Sequence, residues 1–171
     1  AVMATDLYVG ESASYRAAKD IEDRIVILKE SGKSYQEATL KGFEEYVIEC
    51  SMLKVAVSED LQNVADQGIQ IFGGMGYSKE TPMESAWRDA RIARIYEGTN
   101  EINRLVAIGM LIKKAIKGHV DLINEAENVA NSLTGIPSFE LPDLSNLFDE
   151  EKIILKNLKK IFLMLCGAGM K

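Results

Sequence analysis

The chain has 171 residues, of which 20 are Lys or Arg and 26 are Asp or Glu, so its formal net charge is −6. With 47% hydrophobic and 27% charged residues, it has the composition of a folded globular domain, which excludes a disordered or collagen-like chain. The acidic balance argues against nonspecific binding to nucleic acid or to an anionic membrane surface. Two cysteines are too few for a disulfide framework, which favours a reducing compartment.

Both ends of the sequence look cut. The chain begins at Ala1 without a methionine and stops at Met170-Lys171, just after an apolar run, so we expect it to be a piece of a longer protein. No stretch reaches the roughly 18 consecutive apolar residues of a membrane-spanning helix. No basic stretch leads into an apolar one at the N-terminus, as it does in a signal peptide. We therefore expect no transmembrane segment.

The first half of the chain has the pattern of two helices. Apolar residues at helical spacing predict a first helix over residues 1–31, ended by Gly32. Ser34 and Glu37 form the pattern of a capping box, which predicts the start of the longest helix, ending at Phe72. That helix carries a heptad-like apolar stripe, which predicts near-parallel packing in a bundle. The stripe consists of Leu40, Phe43, Val47, Cys50, Val57, Leu61, Val64 and Ile71, with Lys54 and Gly68 as exceptions.

The second half is also helical in pattern. Thr81 and Glu84 predict a capping box for a third helix that stops before Glu97. Thr99 is the expected cap of a fourth helix, interrupted at Gly118.

We expect four segments along the chain: a bundle over residues 1–117, a short helix over 118–135, a linker over 136–148, and the start of a truncated helical extension over 149–171. The short helix is expected to close at Gly135, and Asp149 is the expected cap of the final helix. Strand patterns are nearly absent, so we predict an all-α fold, an up-and-down four-helix bundle with a short helical extension.

Most motifs of enzyme chemistry are absent from the sequence. There is no histidine pair, CxxC, GxSxG or phosphate-loop lysine motif, and we predict no metal site. Two segments still favour a ligand site. Three glycines within residues 73–76 make a backbone surface that a flat or phosphorylated ligand can approach closely, although such a segment also suits a tight turn.

The second segment covers residues 94–100 and places Glu97 between two predicted helices, flanked by Tyr96 and Gly98. Burial of such a carboxylate by a ligand raises its pKa towards that of a useful base. An ordinary acid in an interhelical loop has the same pattern, so spacing alone leaves both interpretations open.

Three motifs resemble the C-terminal helical domain of the acyl-CoA dehydrogenases in residue identity, order and spacing. They are Gln70-Ile-Phe-Gly-Gly-Met-Gly-Tyr77, Arg88-Asp-Ala-Arg91 and Ile95-Tyr-Glu-Gly-Thr-Asn-Glu-Ile-Asn-Arg104. The resemblance covers about residues 1 to 117. The remainder is similar to the C-terminal extension of very-long-chain-like members, so the predicted fold is the bundle of this family with that extension.

The resemblance implies an FAD-dependent flavoprotein that converts acyl-CoA to trans-2-enoyl-CoA in fatty-acid β-oxidation. A carboxylate removes the α-proton of the thioester while hydride leaves the β-carbon for the flavin. The family's base maps onto Glu97. Tyr96 then lines the acyl pocket, and Gly98 allows close approach of the thioester.

The resemblance also implies cofactor contacts. Gln70, Gly73 and Gly74 match the segment that contacts the adenosine diphosphate half of FAD, usually from the neighbouring subunit. Thr99 matches a hydroxyl that contacts FAD within the same subunit. Glu101 stands where many members have Gln, and it is expected either to face the adenine or ribose or to serve the helix dipole alone.

The family further implies a homodimer or dimer of dimers, with electron-transfer flavoprotein as acceptor. Its N-terminal helical and middle β-domains have no counterpart in this sequence, so we expect the isolated chain neither to hold FAD tightly nor to oxidise acyl-CoA. The expected compartment is the bacterial cytoplasm, or the mitochondrial matrix in a eukaryote. The alternatives are an acyl-CoA oxidase-like flavoprotein, in which oxygen takes the electrons, and a non-catalytic helical assembly module.

Overall fold

The computed structural model describes residues 1–133, 142–143 and 145–169, and this part of the chain is all-helical, as predicted. It contains α1 (Val2–Glu30), α2 (Tyr35–Glu45), α3 (Val47–Phe72), α4 (Met83–Ala93), α5 (Asn100–Ile116), α6 (Leu122–Ser132) and α7 (Asp149–Gly169). A short 3-10 helix, Gly73–Tyr77, lies between α3 and α4. None of the helices in these described ranges is long and apolar enough to cross a bilayer.

The chain divides into two compact units between Leu111 and Ile112, and α5 crosses that division. In the first unit α1 packs against α2 and α3, and α3 packs against α4. In the second unit α6 packs against α7, where the backbone of Gly167 approaches the side chain of Ala126.

Local signals in the sequence locate several helix ends correctly. Gly32 follows α1 with φ +91°, a conformation that costs glycine little. The Ser34 hydroxyl accepts from the Glu37 backbone N–H at 3.2 Å and caps α2. Gly118, with φ +72°, follows the end of α5. These features are confirmed because each depends on residues within one turn of the helix end.

The single helix expected over residues 35–72 is wrong, because Tyr46 separates α2 from α3. The Tyr46 N–H bonds to the Phe43 carbonyl, three residues back, at 3.2 Å. At Tyr46 the backbone hydrogen bond thus spans three residues and not the four of an α-helix. The two helices on either side, α2 and α3, both pack against α1. The longest helix of the described chain is therefore α1.

The expected buried stripe on this region is also wrong. The inward face of α3 instead contains Ser51, Val55, Ser58, Gln62 and Ala65. Stripe residues such as Cys50 and Leu61 are exposed. Part of the stripe lines an open cavity of about 710 Å³ between α1 and α3, whose apolar walls include Met3, Leu7, Val57, Leu61 and Val64. Periodicity identified an apolar face, and the structure leaves that face largely uncovered.

Two of the predicted helix caps are wrong. The Thr81 hydroxyl donates to the Met75 carbonyl at 2.6 Å, so it closes the 3-10 segment instead of capping α4. Glu84 pairs with Arg88 on its own helix. Asp149 is the first residue of α7, and its carboxylate accepts from the Asp143 N–H at 2.8 Å. Gly135 and most of the expected linker lie outside the described residues.

The glycines of the 3-10 segment make a sharp stability prediction. A Cβ on Gly76 would lie 2.5 Å from the Ile69 carbonyl oxygen, whereas a Cβ on Gly74 would meet nothing within 4 Å. We expect Gly76→Ala to lower the free energy of unfolding by about 2 kcal/mol, because backbone must move. Gly74→Ala is the matched control and should stay within about 0.5 kcal/mol of the unmodified chain. Urea unfolding measures both, and equal effects would contradict the packing described for Gly76.

Candidate functional site

The junction between α4 and α5 has an unusual backbone. Glu97 has φ +53° and Gly98 has φ +84°. A left-handed conformation costs a non-glycine residue roughly 1–2 kcal/mol, and strain of this kind is concentrated at functional sites. The Asn100 N–H bonds to the Arg94 carbonyl at 3.1 Å and closes the loop. The loop leaves the side chains of Tyr96 and Glu97 exposed.

Asn100, the first residue of α5, anchors the junction to α3. Its residue surface is 0% exposed. The side-chain Nδ2 donates to Ser58 Oγ at 3.0 Å, and the Oδ1 accepts from Lys54 Nζ at 2.7 Å. A buried amide is costly unless it is hydrogen-bonded, so these bonds determine where α5 begins.

Lys54 makes a second bond to the same loop. Its Nζ donates to the Gly98 carbonyl at 2.8 Å, in addition to its bond with Asn100. This pairing explains why a lysine interrupts the apolar stripe. The sequence motifs indicate no role for Lys54, Ser58 or Asn100. The charge within the stripe was the available signal, but its partners lie more than 40 residues further along the chain.

An ion-pair group lies beside this anchor. Glu59 on α3 accepts from Arg104 of α5 at 2.7 Å and lies 3.8 Å from the Arg94 guanidinium. The hydrogen bond from Arg104 is the main cause that lowers the pKa of Glu59 below its ordinary value, opposed by partial burial. The group therefore adds a second, charged link between α3 and the start of α5.

The first turn of α5 is already hydrogen-bonded. The Thr99 hydroxyl accepts from the Ile102 N–H at 3.2 Å, which confirms Thr99 as the helix cap. The Glu101 carboxylate interacts with its own backbone N–H and with the Thr99 hydroxyl, and these two contacts lower the pKa of Glu101. A carboxylate thus occupies the position where the helix dipole favours an anion. The dipole role of Glu101 fits this arrangement, and its contact with a cofactor stays a prediction.

The glycine-rich segment presents bare backbone to solvent. Gly73 and Gly74 are exposed, and a Cβ on either would meet nothing within 4 Å. Gly73 also has φ +59°. Gln70 is exposed one turn before them. Around these residues Ile71, Phe72 and Tyr77 expose 68%, 50% and 81% of their surface. Such a surface fits a ligand or partner that lies against the backbone.

The structure does not bring the two candidate segments together within one chain. The α4–α5 junction is anchored at Ser58, whereas Gly73 follows the far end of α3. At about 1.5 Å per residue, these points are roughly 22 Å apart along the helix axis. Tyr96, Glu97 and Gly98 therefore form one cluster with Thr99 and Glu101, while Gln70, Gly73 and Gly74 form another.

Residues 1–111 match the family profile described as the C-terminal domain of acyl-CoA dehydrogenase. The chain belongs to the acyl-CoA dehydrogenase family. A probable acyl-CoA dehydrogenase of Bacillus subtilis is 41% identical over 98% of this chain and 28% of its own length. The bovine mitochondrial short-chain specific acyl-CoA dehydrogenase is 48% identical over 47% of this chain and 20% of its own.

A solved structure agrees with these relatives. The crystal structure of an acyl-CoA dehydrogenase complexed with FAD from Bacillus anthracis superposes with a TM-score of 0.86 at 39% identity. It covers 95% of this chain, which in turn covers 27% of that protein. The resemblance noted from the three motifs is thus confirmed at the level of family and fold, and the chain spans under a third of these relatives.

The anchor at Asn100 makes a testable prediction for this acyl-CoA dehydrogenase domain. Asn100→Ala removes one hydrogen-bond partner from each of Lys54 and Ser58 and leaves a cavity at a fully buried position, so we expect a loss of roughly 2 kcal/mol in unfolding free energy. Asn63, exposed on α3, supplies the matched control, because Asn63→Ala removes an amide from a solvated helix face and should not destabilise. Urea unfolding of both variants is the measurement. An unchanged midpoint for Asn100→Ala would refute the anchoring role.

Proposed function

We propose that this chain supplies the catalytic base, and part of the cofactor and substrate sites, of an FAD-dependent acyl-CoA dehydrogenase. The reaction is α,β-dehydrogenation of acyl-CoA to trans-2-enoyl-CoA in fatty-acid β-oxidation. The carrying observation is Glu97, an exposed carboxylate on a left-handed junction that is held by hydrogen bonds on both sides. In this proposal the bundle over residues 1–117 carries all of the ligand-binding residues. Residues 118–171 form the C-terminal extension.

In this proposal Glu97 abstracts the α-proton of the thioester. An α-proton of this kind is weakly acidic, so the reaction needs a well-positioned base and a polarised carbonyl. The Glu97 backbone N–H makes no hydrogen bond within the described residues, and it is the donor we assign to the thioester oxygen. Gly98 lets the thioester approach the loop, and Tyr96 lines the acyl chain.

Two groups of residues fit FAD. The group at Gly73 and Gly74 is exposed to solvent, whereas the Thr99 residue is half-buried. When bound, FAD supplies the hydride acceptor for the β-carbon. Gln70, Gly73 and Gly74 would hold its adenosine diphosphate half against bare backbone. Thr99 would contact FAD through its hydroxyl, and Glu101 either turns to the adenine or ribose or remains the first-turn acid.

The separation of the two clusters supports a composite site. Because the junction and the glycine-rich segment are roughly 22 Å apart along α3, we propose that they serve the FAD of different subunits in a homodimer or dimer of dimers. The exposed apolar side chains beside Gly73 are consistent with such a neighbour. We further propose electron-transfer flavoprotein as the acceptor and, from the bacterial relatives, the bacterial cytoplasm as the compartment.

The role of Glu97 is tested in the full-length, FAD-loaded enzyme. Glu97→Gln should keep bound flavin but slow its reduction by acyl-CoA by about 10²–10⁴-fold, the usual contribution of a general base. Glu44→Gln, at an exposed acid on α2, should react as the unmodified enzyme does. Anaerobic bleaching of the flavin measures the rate.

Normal bleaching of the flavin in the Glu97→Gln variant would exclude Glu97 as the base. An enzyme that binds no flavin would favour a helical assembly module. Oxygen consumption in place of dye reduction would identify an oxidase-like member.

A second prediction concerns the chain by itself. Because it spans 28% of its Bacillus subtilis relative and carries two separated parts of the proposed cofactor site, we expect the isolated 171 residues to lose FAD during gel filtration. Absorbance at 450 nm across the protein peak is the measurement. The full-length enzyme, loaded and filtered in the same way, is the control. A flavin spectrum that stays with the isolated chain would contradict the composite site.

A further inference from the structure

We propose that Lys54 is a positioning residue for the catalytic junction, a role that rests on the function proposed for Glu97. Its ammonium group bridges the Gly98 carbonyl at 2.8 Å and the Asn100 Oδ1 at 2.7 Å. These acceptors belong to the residue after Glu97 and to the first residue of α5. Lys54 therefore ties the backbone beside the proposed base to α3.

Lys54 differs from the other donor on the same carbonyl. Asn103 Nδ2 also donates to the Gly98 oxygen, at 2.9 Å. Asn103 lies on α5, so its bond moves with the helix that the junction begins. Among the described residues, Lys54 is the donor that connects the Gly98 carbonyl to a different helix. Loss of Lys54 would leave the bond from Asn103 in place but remove one link between the junction and α3, so we expect the loop and the first turn of α5 to open more often.

The junction needs such a restraint because its backbone is strained. The left-handed conformation of Glu97 persists only where surrounding contacts oppose its relaxation. The Arg94 carbonyl holds one side of the loop through the Asn100 N–H, and Lys54 holds the other side. A displacement of about 1 Å in a catalytic group can cost roughly 10²-fold in rate, so a small relaxation is enough to matter.

The position of Lys54 argues against a purely packing role. A lysine that only covered apolar surface would keep its ammonium in water, whereas this ammonium lies on two neutral oxygens and one of its partners is fully buried. Those acceptors orient the cation without neutralising it. Lys54→Met keeps much of the apolar stem and removes the donors, so it separates the two roles.

The test uses the full-length, FAD-loaded enzyme with Lys54→Met, Lys54→Arg and the control Lys41→Met. Lys41 forms an exposed ion pair with Glu37 on α2, away from the junction. Stopped-flow reduction of the flavin by butyryl-, octanoyl- or palmitoyl-CoA gives a limiting rate and an apparent Kd. We expect Lys54→Met to lower the limiting rate about 10–100-fold with Kd within about threefold. Lys54→Arg should recover part of that rate because it keeps a positive charge and several N–H donors at this position.

A limiting rate for Lys54→Met within about twofold of the unmodified enzyme would overturn the proposal. A loss confined to Kd, or no recovery in Lys54→Arg, would do the same. Hydrogen exchange at the Asn100 and Ile102 amides provides a readout that needs no turnover. We expect exchange about tenfold faster in Lys54→Met than in Lys41→Met, and equal exchange also overturns the role. Failure of the proposed function is recognised separately, by an unmodified enzyme that acyl-CoA does not reduce.

Discussion

The hydrogen-bond requirement of one buried amide determines the arrangement around the candidate site. Asn100 is completely buried at the start of α5, so its side-chain oxygen and nitrogen must both find partners. Those partners, Lys54 and Ser58, are one turn apart on α3. Because α4 ends at Ala93 and α5 begins at Asn100, only residues 94–99 are available to reverse the direction of the chain between the two helices. The positive φ values of Glu97 and Gly98 are the consequence.

The loop combines a run of exposed residues with one buried anchoring residue at its end. Asn100 is buried and fully hydrogen-bonded, whereas Tyr96 and Glu97 are exposed to solvent. The glycine-rich segment divides in the same way, because Gly76 packs against the Ile69 backbone while Gly73 and Gly74 face open space. Three glycines that look equivalent in the sequence therefore have different constraints. One keeps the segment folded, and two leave its outer surface bare.

The sequence predicted helix ends better than it predicted packing. Gly32 and Thr99 were assigned correctly because cap chemistry depends on residues within one turn. Thr81 shows the limit of that rule, since its hydroxyl donates to the Met75 carbonyl and α4 has no side-chain cap bond. The motif residues of the candidate site came from a family resemblance, whereas the residues that hold them did not. The role of Lys54 depends on partners over 40 residues away, which no local pattern reveals.

The two faces of α3 explain why its apolar stripe was a poor guide to the core. Ser58 and Gln62 lie on the buried face, where polar side chains meet the start of α5 or fill the interior. Val57 and Leu61 lie on the face that borders the open cavity with α1. Burial of Ser58 is tolerated because its hydrogen bonds compensate for it, whereas Gln62 Oε1 has no hydrogen-bond partner within the described residues. Exposure of the other face has no such compensation in this chain, which spans 28% of its Bacillus subtilis relative. Helix α3 thus uses hydrogen bonds to position the junction and leaves apolar surface available for further contacts.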